Sequence, residues 1–283
     1  MHNQIADGFG VEAFSCCRVR CQEAAPVCQA KGAKSPAIDY DHAVSTLSVQ
    51  VIMTASATEP HLPAALLSDM DGLLLDTERL SFVTFNIIAA RYGFSDDGSI
   101  FNQLIGLNRE GHQRIFSQLL PTGIDPDAFD AAWKAEFMAM LEEDVPLKPG
   151  ARQVLAWLAE RNVPIALVTS TRTAKAEMLM QRTGLDAFLD IIIGGDQVTA
   201  GKPAPDIYLK AATHLGKAAP DCLAFEDSAN GVRAAHAAGA RVIQVVDLLP
   251  PDDALSALGH EVTSSLAEAA QLLNWHGIPD LEA

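Results

Sequence analysis

Ala64-Ala65-Leu66-Leu67-Ser68-Asp69-Met70-Asp71-Gly72 decides how the rest of the chain is read. Four apolar residues run without a break, pass through one serine, and stop at two aspartates and a glycine. A short continuous apolar run that ends in a turn suits a strand covered on both faces, as in a parallel sheet. The glycine lets the chain turn sharply past the carboxylates.

Working outward, the pattern returns. Residues 164–168 form a second apolar run, ending at Thr169. Residues 191–193 form a third, ending at Gly194-Gly195. Residues 222–225 form a fourth, ending at Glu226-Asp227, and residues 241–245 a fifth. Helical spacing fills the gaps: 151–161 sets Val154, Leu155, Trp157 and Leu158 on one side, and 204–215 does so with Ile207, Tyr208, Ala211 and Leu215. The alanine-rich stretch 229–238 stops at Gly239, and 266–273 closes the chain. This alternation predicts an α/β fold, a Rossmann-like parallel sheet with helices on both faces.

One stretch breaks the alternation. Between 80 and 146 helical patterns follow one another at 82–92, 111–120 and 129–141, and Pro146 and Pro149-Gly150 mark the return. A helical cap inserted after the first strand is expected, with 63–80 and 147–283 as the sheet domain and 81–146 as the cap domain. Hinges are expected at 78–82 and 144–148.

Residues 1–62 read differently. Their periodicity is weak, with one short strand-like run at 48–52, and they are expected to form a disordered leader. A short polar run follows Met53 before the first convincing strand, so Met53 is the expected native start. Cys16, Cys17, Cys21 and Cys28 crowd the leader without the paired spacing of a zinc site, and they read as free thiols.

The whole chain bounds the partners. Its 283 residues carry a formal net charge of -16. Such a field repels nucleic acid and anionic membrane surfaces, so neither is an expected partner. No apolar run is long enough to span a bilayer and no secretory signal opens the chain, so a cytoplasmic location is expected. Oligomeric state is not legible.

In open parallel sheets ligands bind beyond the carboxyl ends of the strands. Asp69 and Asp71 follow the first strand, Thr169 and Ser170 the second, and Glu226 and Asp227 the fourth; Lys202 lies in the loop after the third. Carboxylates gathered at one point repel unless a cation intervenes, and hard oxygen ligands suit Mg²⁺. A lysine and a hydroxyl suit the non-bridging oxygens of a phosphate. One carboxylate can attack phosphorus in line, and a second can protonate the leaving oxygen and then activate water.

These residues carry a resemblance. Asp69-Met70-Asp71-Gly72-Leu73-Leu74-Leu75-Asp76-Thr77-Glu78 resembles the first motif of the haloacid dehalogenase-like hydrolases, a superfamily dominated by phosphatases. Val168-Thr169-Ser170-Thr171 resembles the second, Gly201-Lys202-Pro203-Ala204-Pro205-Asp206 the third, and Phe225-Glu226-Asp227-Ser228-Ala229-Asn230-Gly231 the fourth. The resemblance spans roughly Ala64 to the C-terminus. The cap is similar to that of the subgroup of phosphoglycolate, sugar-phosphate and β-phosphoglucomutase enzymes.

The resemblance implies roles. Asp69 is the expected nucleophile and a metal ligand. Asp71 is the expected acid/base, its backbone carbonyl also on Mg²⁺. Asp227 is a metal ligand, and Glu226 is one directly or through water. Thr169, the Ser170 amide and Lys202 are expected to bind the phosphoryl group. An aspartate at 71 also argues against a dehalogenase, which needs no leaving-group acid. In the cap, Ile105-Gly106-Leu107-Asn108-Arg109 resembles the segment whose arginine grips a distal phosphate in the mutase branch; Arg109 reads either as that substrate contact or as a solvated residue at a helix start. The mutase branch has a histidine where this chain has Ser81, and a lysine where it has Ile105. These departures favour hydrolysis of a small phosphorylated metabolite, of sugar-phosphate or phosphoglycolate type, over a phosphosugar mutase. Asp76 and Glu78 read as structural, and His112 and Trp133 read either as pocket-lining or as packing residues, packing favoured.

Overall fold

The computed structural model describes residues 60–281 apart from 106 and 108, together with the backbone but not the side chain of Arg109. The four cysteines of the leader, the strand-like run at 48–52 and Met53 lie outside the described residues.

Six strands form one parallel sheet: β1 (Leu66–Ser68), β2 (Ile165–Val168), β3 (Ile191–Ile193), β4 (Leu223–Glu226), β5 (Arg241–Val245) and β6 (Glu261–Thr263). Their order across the sheet is β3-β2-β1-β4-β5-β6. β1 is central, with Leu66 opposite both Ile165 and Leu223. The order reverses beside β1, which is the crevice where such sheets bind ligands. Every residue of β1, β2 and β4 is buried, which is why their sequences are apolar without alternation.

The pleat sends alternate residues to opposite cores. Leu66, Ile165, Leu167, Phe225 and Ile243 face α4 (Ala151–Glu160), α5 (Thr173–Thr183) and α9 (Leu266–Leu272). Leu67, Ala166, Val168 and Ala224 face α6 (Asp206–His214) and α7 (Ala229–Ala237). A four-residue helix, α8 (Asp253–Ser256), adds Leu255 to that second core.

Between β1 and α4 stand α1 (Thr77–Arg91), α2 (Arg109–Leu119) and α3 (Pro126–Glu143), with no strand among the described residues there. They enclose a separate aromatic core in which Phe85 lies edge-on to Phe101, Phe129 and Trp133. The helical insertion read from the sequence is therefore present.

At one crossing between sheet and cap, residues 78–82 form the first turns of α1, which begins at Thr77. Leu80 is the one apolar residue there before Phe82, so the apolar spacing that betrays the helix starts only at Phe82. The other crossing is zipped to the loop after β1. Asp76 N donates to the Pro146 carbonyl at 2.9 Å, and Lys148 N donates to the Leu74 carbonyl at 2.9 Å. Lys148 Nζ also lies 2.6 Å from Asp247 Oδ1 and 3.6 Å from Asp76 Oδ1, tying both crossings to the loop after β5. Among the described residues no helix is long and apolar enough to cross a membrane.

Candidate active site

Asp69 continues β1 by one residue. Its N–H donates to the Phe225 carbonyl at 3.0 Å, so the sheet itself fixes its position. Thr169 is held likewise, its N–H on the Ile193 carbonyl at 3.1 Å. The loops then pack closely. A Cβ at Gly195 would stand 2.5 Å from the Ser170 carbonyl, so only glycine lets the loop after β3 lie against the loop after β2. Gly72, at φ +77°, turns the chain against the Asp227 carboxylate, with which any Cβ there would collide.

Lys202 is the centre of the arrangement. Its ammonium lies 2.5 Å from Asp69 Oδ1, 2.6 Å from Glu226 Oε1 and 2.9 Å from the Val168 carbonyl, which accounts for all three of its protons. Glu226 is fully buried. Its Oε1 also accepts from the Tyr208 hydroxyl at 2.6 Å, and its Oε2 accepts from the amides of Asp227 and Ser228 and from Ser228 Oγ. A buried carboxylate so surrounded has its hydrogen-bonding capacity met within the protein. α7 passes over it at Gly231, where any side chain would overlap the Glu226 carboxylate.

Asp71 is held differently. Thr77 Oγ1 donates to its Oδ1 and Thr171 Oγ1 to its Oδ2, both at 2.9 Å. One hydroxyl comes from the start of α1 and the other from the loop after β2, so the cap entry and the sheet share this carboxylate.

The electrostatics are strained in one direction. Burial pushes the Asp69 carboxyl up to about 8; Lys202 opposes the shift, while Glu226 and Asp71 add to it. Burial, then Asp69 and Glu226, also raise Asp227 well above the usual carboxylate range. Burial works against the Lys202 ammonium too, but Asp69 and Glu226 outweigh it and raise its pKa. Lys202 thus stays charged, yet it relieves only one side of Asp69. The ligand atoms of Asp69, Glu226 and Asp227 lie within 4.8 Å of one another. Packed oxygen donors with unrelieved repulsion fit a hard divalent cation.

A cavity of about 570 Å³ opens above these residues. Asp69, Asp71, Thr169, Ser170, Lys202 and Asp227 line its floor, and Ser81, Ile105, His112 and Trp133 are among the cap residues that line its roof. Glu226 lies behind the floor rather than in it. Arg109 opens α2, with its side chain outside the described residues.

Several neighbours escaped the sequence reading. Thr77 and Thr171 stood inside the quoted motifs but were not singled out. Tyr208 read as a core residue of α6; its ring is indeed fully buried, and only its hydroxyl reaches the site. Glu78 read as structural, yet it lines the cavity, where burial, Asp71 and Asp247 raise its carboxyl to about 7. His112 and Trp133 do both jobs: their rings stack at 5.8 Å within the cap core, and both border the cavity.

Residues 63–239 match the family model of haloacid dehalogenase-like hydrolases. The chain belongs to this family. It is a hydrolase whose active site is centred on an aspartate. Among its relatives, the phosphorylated carbohydrates phosphatase of Thermotoga maritima is 31% identical over 211 residues, which is 74% of this chain and 96% of that protein. The fructose-1-phosphate phosphatase of Escherichia coli is 32% identical over 185 residues, 64% of this chain and 96% of its own. A hydrolase of the same family from Deinococcus radiodurans, solved with bound phosphate and sodium, superposes with a TM-score of 0.65 at 29% identity, covering 74% of this chain and 94% of that one.

Proposed function

We propose that this hydrolase is a Mg²⁺-dependent phosphatase acting on a small phosphorylated metabolite, of sugar-phosphate or phosphoglycolate type, through an aspartyl-phosphate on Asp69. The observation that carries the reading is the Lys202 bridge, which holds Asp69 at the floor of a cavity beside a second, hydroxyl-held carboxylate. The relatives named as phosphatases, and the phosphate bound in the Deinococcus structure, support the same chemistry.

In the first step Asp69 attacks phosphorus, the bond to the leaving oxygen breaks, and Asp71 gives that oxygen its proton. Each Asp71 oxygen accepts one hydroxyl hydrogen bond, from Thr77 or Thr171, and keeps a further lone-pair site for the substrate. In the second step Asp71 takes a proton from water, whose oxygen attacks the phosphoryl group and frees Asp69. Thr169 and the Ser170 amide bind the phosphoryl oxygens, and Lys202 joins them by releasing one of the three acceptors it holds in the structure. Asp69, Asp227 and the Asp71 carbonyl would hold Mg²⁺; Glu226, with both oxygens already accepting protein hydrogen bonds, is better suited to a contact through water. When bound, the ion supplies charge that offsets the phosphoryl oxygens and the crowded carboxylates. The cap, taken as residues 81–146, would exclude water while the first bond breaks. A cytoplasmic location belongs to the same proposal.

A phosphosugar mutase is the second reading. Ser81 and Ile105 both face the cavity, leaving neither the histidine nor the lysine of the mutase branch at those places, and this favours water as acceptor. Incubation with β-glucose 1-phosphate, Mg²⁺ and an activating bisphosphate separates the two. Free phosphate without glucose 6-phosphate is expected; conversion to glucose 6-phosphate would overturn the phosphatase reading.

A further inference from the structure

Lys202 is fully used by Asp69, Glu226 and the Val168 carbonyl. The cavity has a second cation that the chemistry above does not employ. Lys175, in the first turn of α5, lines the same space. It is partly buried, and among the described residues it pairs with no carboxylate, in a chain whose acidic residues outnumber its lysines and arginines 36 to 20. Its Nζ lies 5.4 Å from the ring centroid of Phe137 on α3, so it spans the seam between sheet and cap.

The surroundings leave a job for it. The N-terminus of α5 is already occupied, since Asp196 Oδ1 accepts from Thr173 N at 2.7 Å and from its hydroxyl at 2.8 Å. Among the described side chains of the cap that line the cavity, none is an arginine or lysine, and Phe101, Leu104 and Trp133 make much of that wall apolar. An anionic group on the substrate beyond the transferred phosphoryl would therefore find its charge partner at Lys175. Four carboxylates, Asp69, Asp71, Glu78 and Asp227, border the same cavity, and an unmatched second anion would meet only repulsion there.

We propose that Lys175 is a specificity residue that binds a second anionic group, a carboxylate or a distal phosphate, carried on the leaving group of the substrate. The proposal rests on the phosphatase reading for the place of the first phosphate. It identifies the substrate class as phosphomonoesters with a further negative charge.

The test uses matched pairs: 3-phosphoglycerate with glycerol 1-phosphate, and fructose 1,6-bisphosphate with fructose 1-phosphate. The wild-type full chain with Mg²⁺ is expected to favour the more anionic member of at least one pair in kcat/KM, and which pair shows it separates carboxylate from phosphate. In Lys175→Met that preference is expected to shrink on the order of tenfold or more, the scale of a charge-assisted hydrogen bond, and Lys175→Arg is expected to keep most of it. A wild type without preference, or a parallel fall of both members in Lys175→Met, would overturn the proposal; the second result would make Lys175 a clamp on Phe137. Loss of the preference in Arg109→Met but not in Lys175→Met would also overturn it. Calorimetric binding of the same pairs to Asp69→Asn protein, with and without Lys175→Met, gives the answer without turnover. A Lys175-dependent preference in binding with no phosphate released by the wild type would sink the phosphatase reading and leave the anion site standing.

Discussion

Asp69 and Asp71 stand two residues apart but are held by different means, and their variants should fail differently. Asp69 is fixed by the sheet and by Lys202. Asp69→Asn is expected to abolish phosphate release while leaving the circular dichroism spectrum unchanged; retained turnover would remove Asp69 as nucleophile. Asp71 is fixed only by two hydroxyls. Asp71→Asn should lower kcat by a factor on the order of 10² or more, and near-normal turnover would take the acid/base role from it. Glu78 gives a third test at this scale. Its folded value of about 7 lies above the ordinary 4.5 because burial opposes the charge. Below the ordinary value both states hold the proton. As pH rises toward 7 the unfolded chain loses it while the fold retains it, so stability falls across that window and levels off above it. In metal-free protein, Glu78→Gln should remove on the order of 2 kcal/mol of this decline. Urea midpoints measured from pH 4.5 to 8 check it; parallel curves for the two proteins would contradict it.

At the scale of elements, what was legible was whatever repeats. β1, β2 and β4 announced themselves because a strand buried on both faces needs an unbroken apolar run, and β3 and β5 did so through their isoleucines and valines, although β3 is an edge strand and β5 carries Arg241 and Gln244. β6 did not, because Glu261-Val262-Thr263 is an edge strand with Val262 turned to solvent. α5 was passed over because only Ala176, Leu179 and Met180 of its eleven residues are buried. The motif loops were legible in composition, but not in which atoms meet. The sequence places Lys202 far from Asp69 and Glu226, and only the parallel order of the strands brings the three together. The Thr77 and Thr171 clamp on Asp71 was hidden for the same reason, since hydroxyls in loops are common and a pair is recognised only in space. α7 carries the sharpest element-level test. Gly231→Ala drives a methyl group into the Glu226 carboxylate. It should cost about 1–3 kcal/mol, as overpacking of a filled core does, and should reduce turnover by displacing Lys202. A stable, fully active variant would mean that α7 can move off β4 at no cost.

Across the whole molecule, an acidic chain binds an anionic substrate only by concentrating positive charge locally. In the proposed reading Lys202 and a bound divalent cation would do this at the floor of the cavity, and Lys175 would extend it toward the cap. Mg²⁺ should therefore stabilise as well as activate. Added Mg²⁺ is expected to raise the melting temperature, and Asp227→Asn to weaken that rise. Chelation should stop phosphate release and Mg²⁺ should restore it; full activity in excess chelator would exclude the metal from the site. The helical insertion closes around its own aromatic core and is zipped to the loop after β1 at Leu74.

The most direct measurement is to trap the intermediate. The protein is mixed with Mg²⁺ and a substrate it turns over, quenched in acid, reduced with borohydride and digested for mass spectrometry. Reduction of an acyl phosphate leaves an alcohol, so the peptide spanning residue 69 is expected to carry homoserine in place of Asp69, only when both substrate and Mg²⁺ are present. An unaltered Asp69 with the reduced product at another carboxylate, or turnover with no trapped residue at any time point, would contradict covalent catalysis at Asp69.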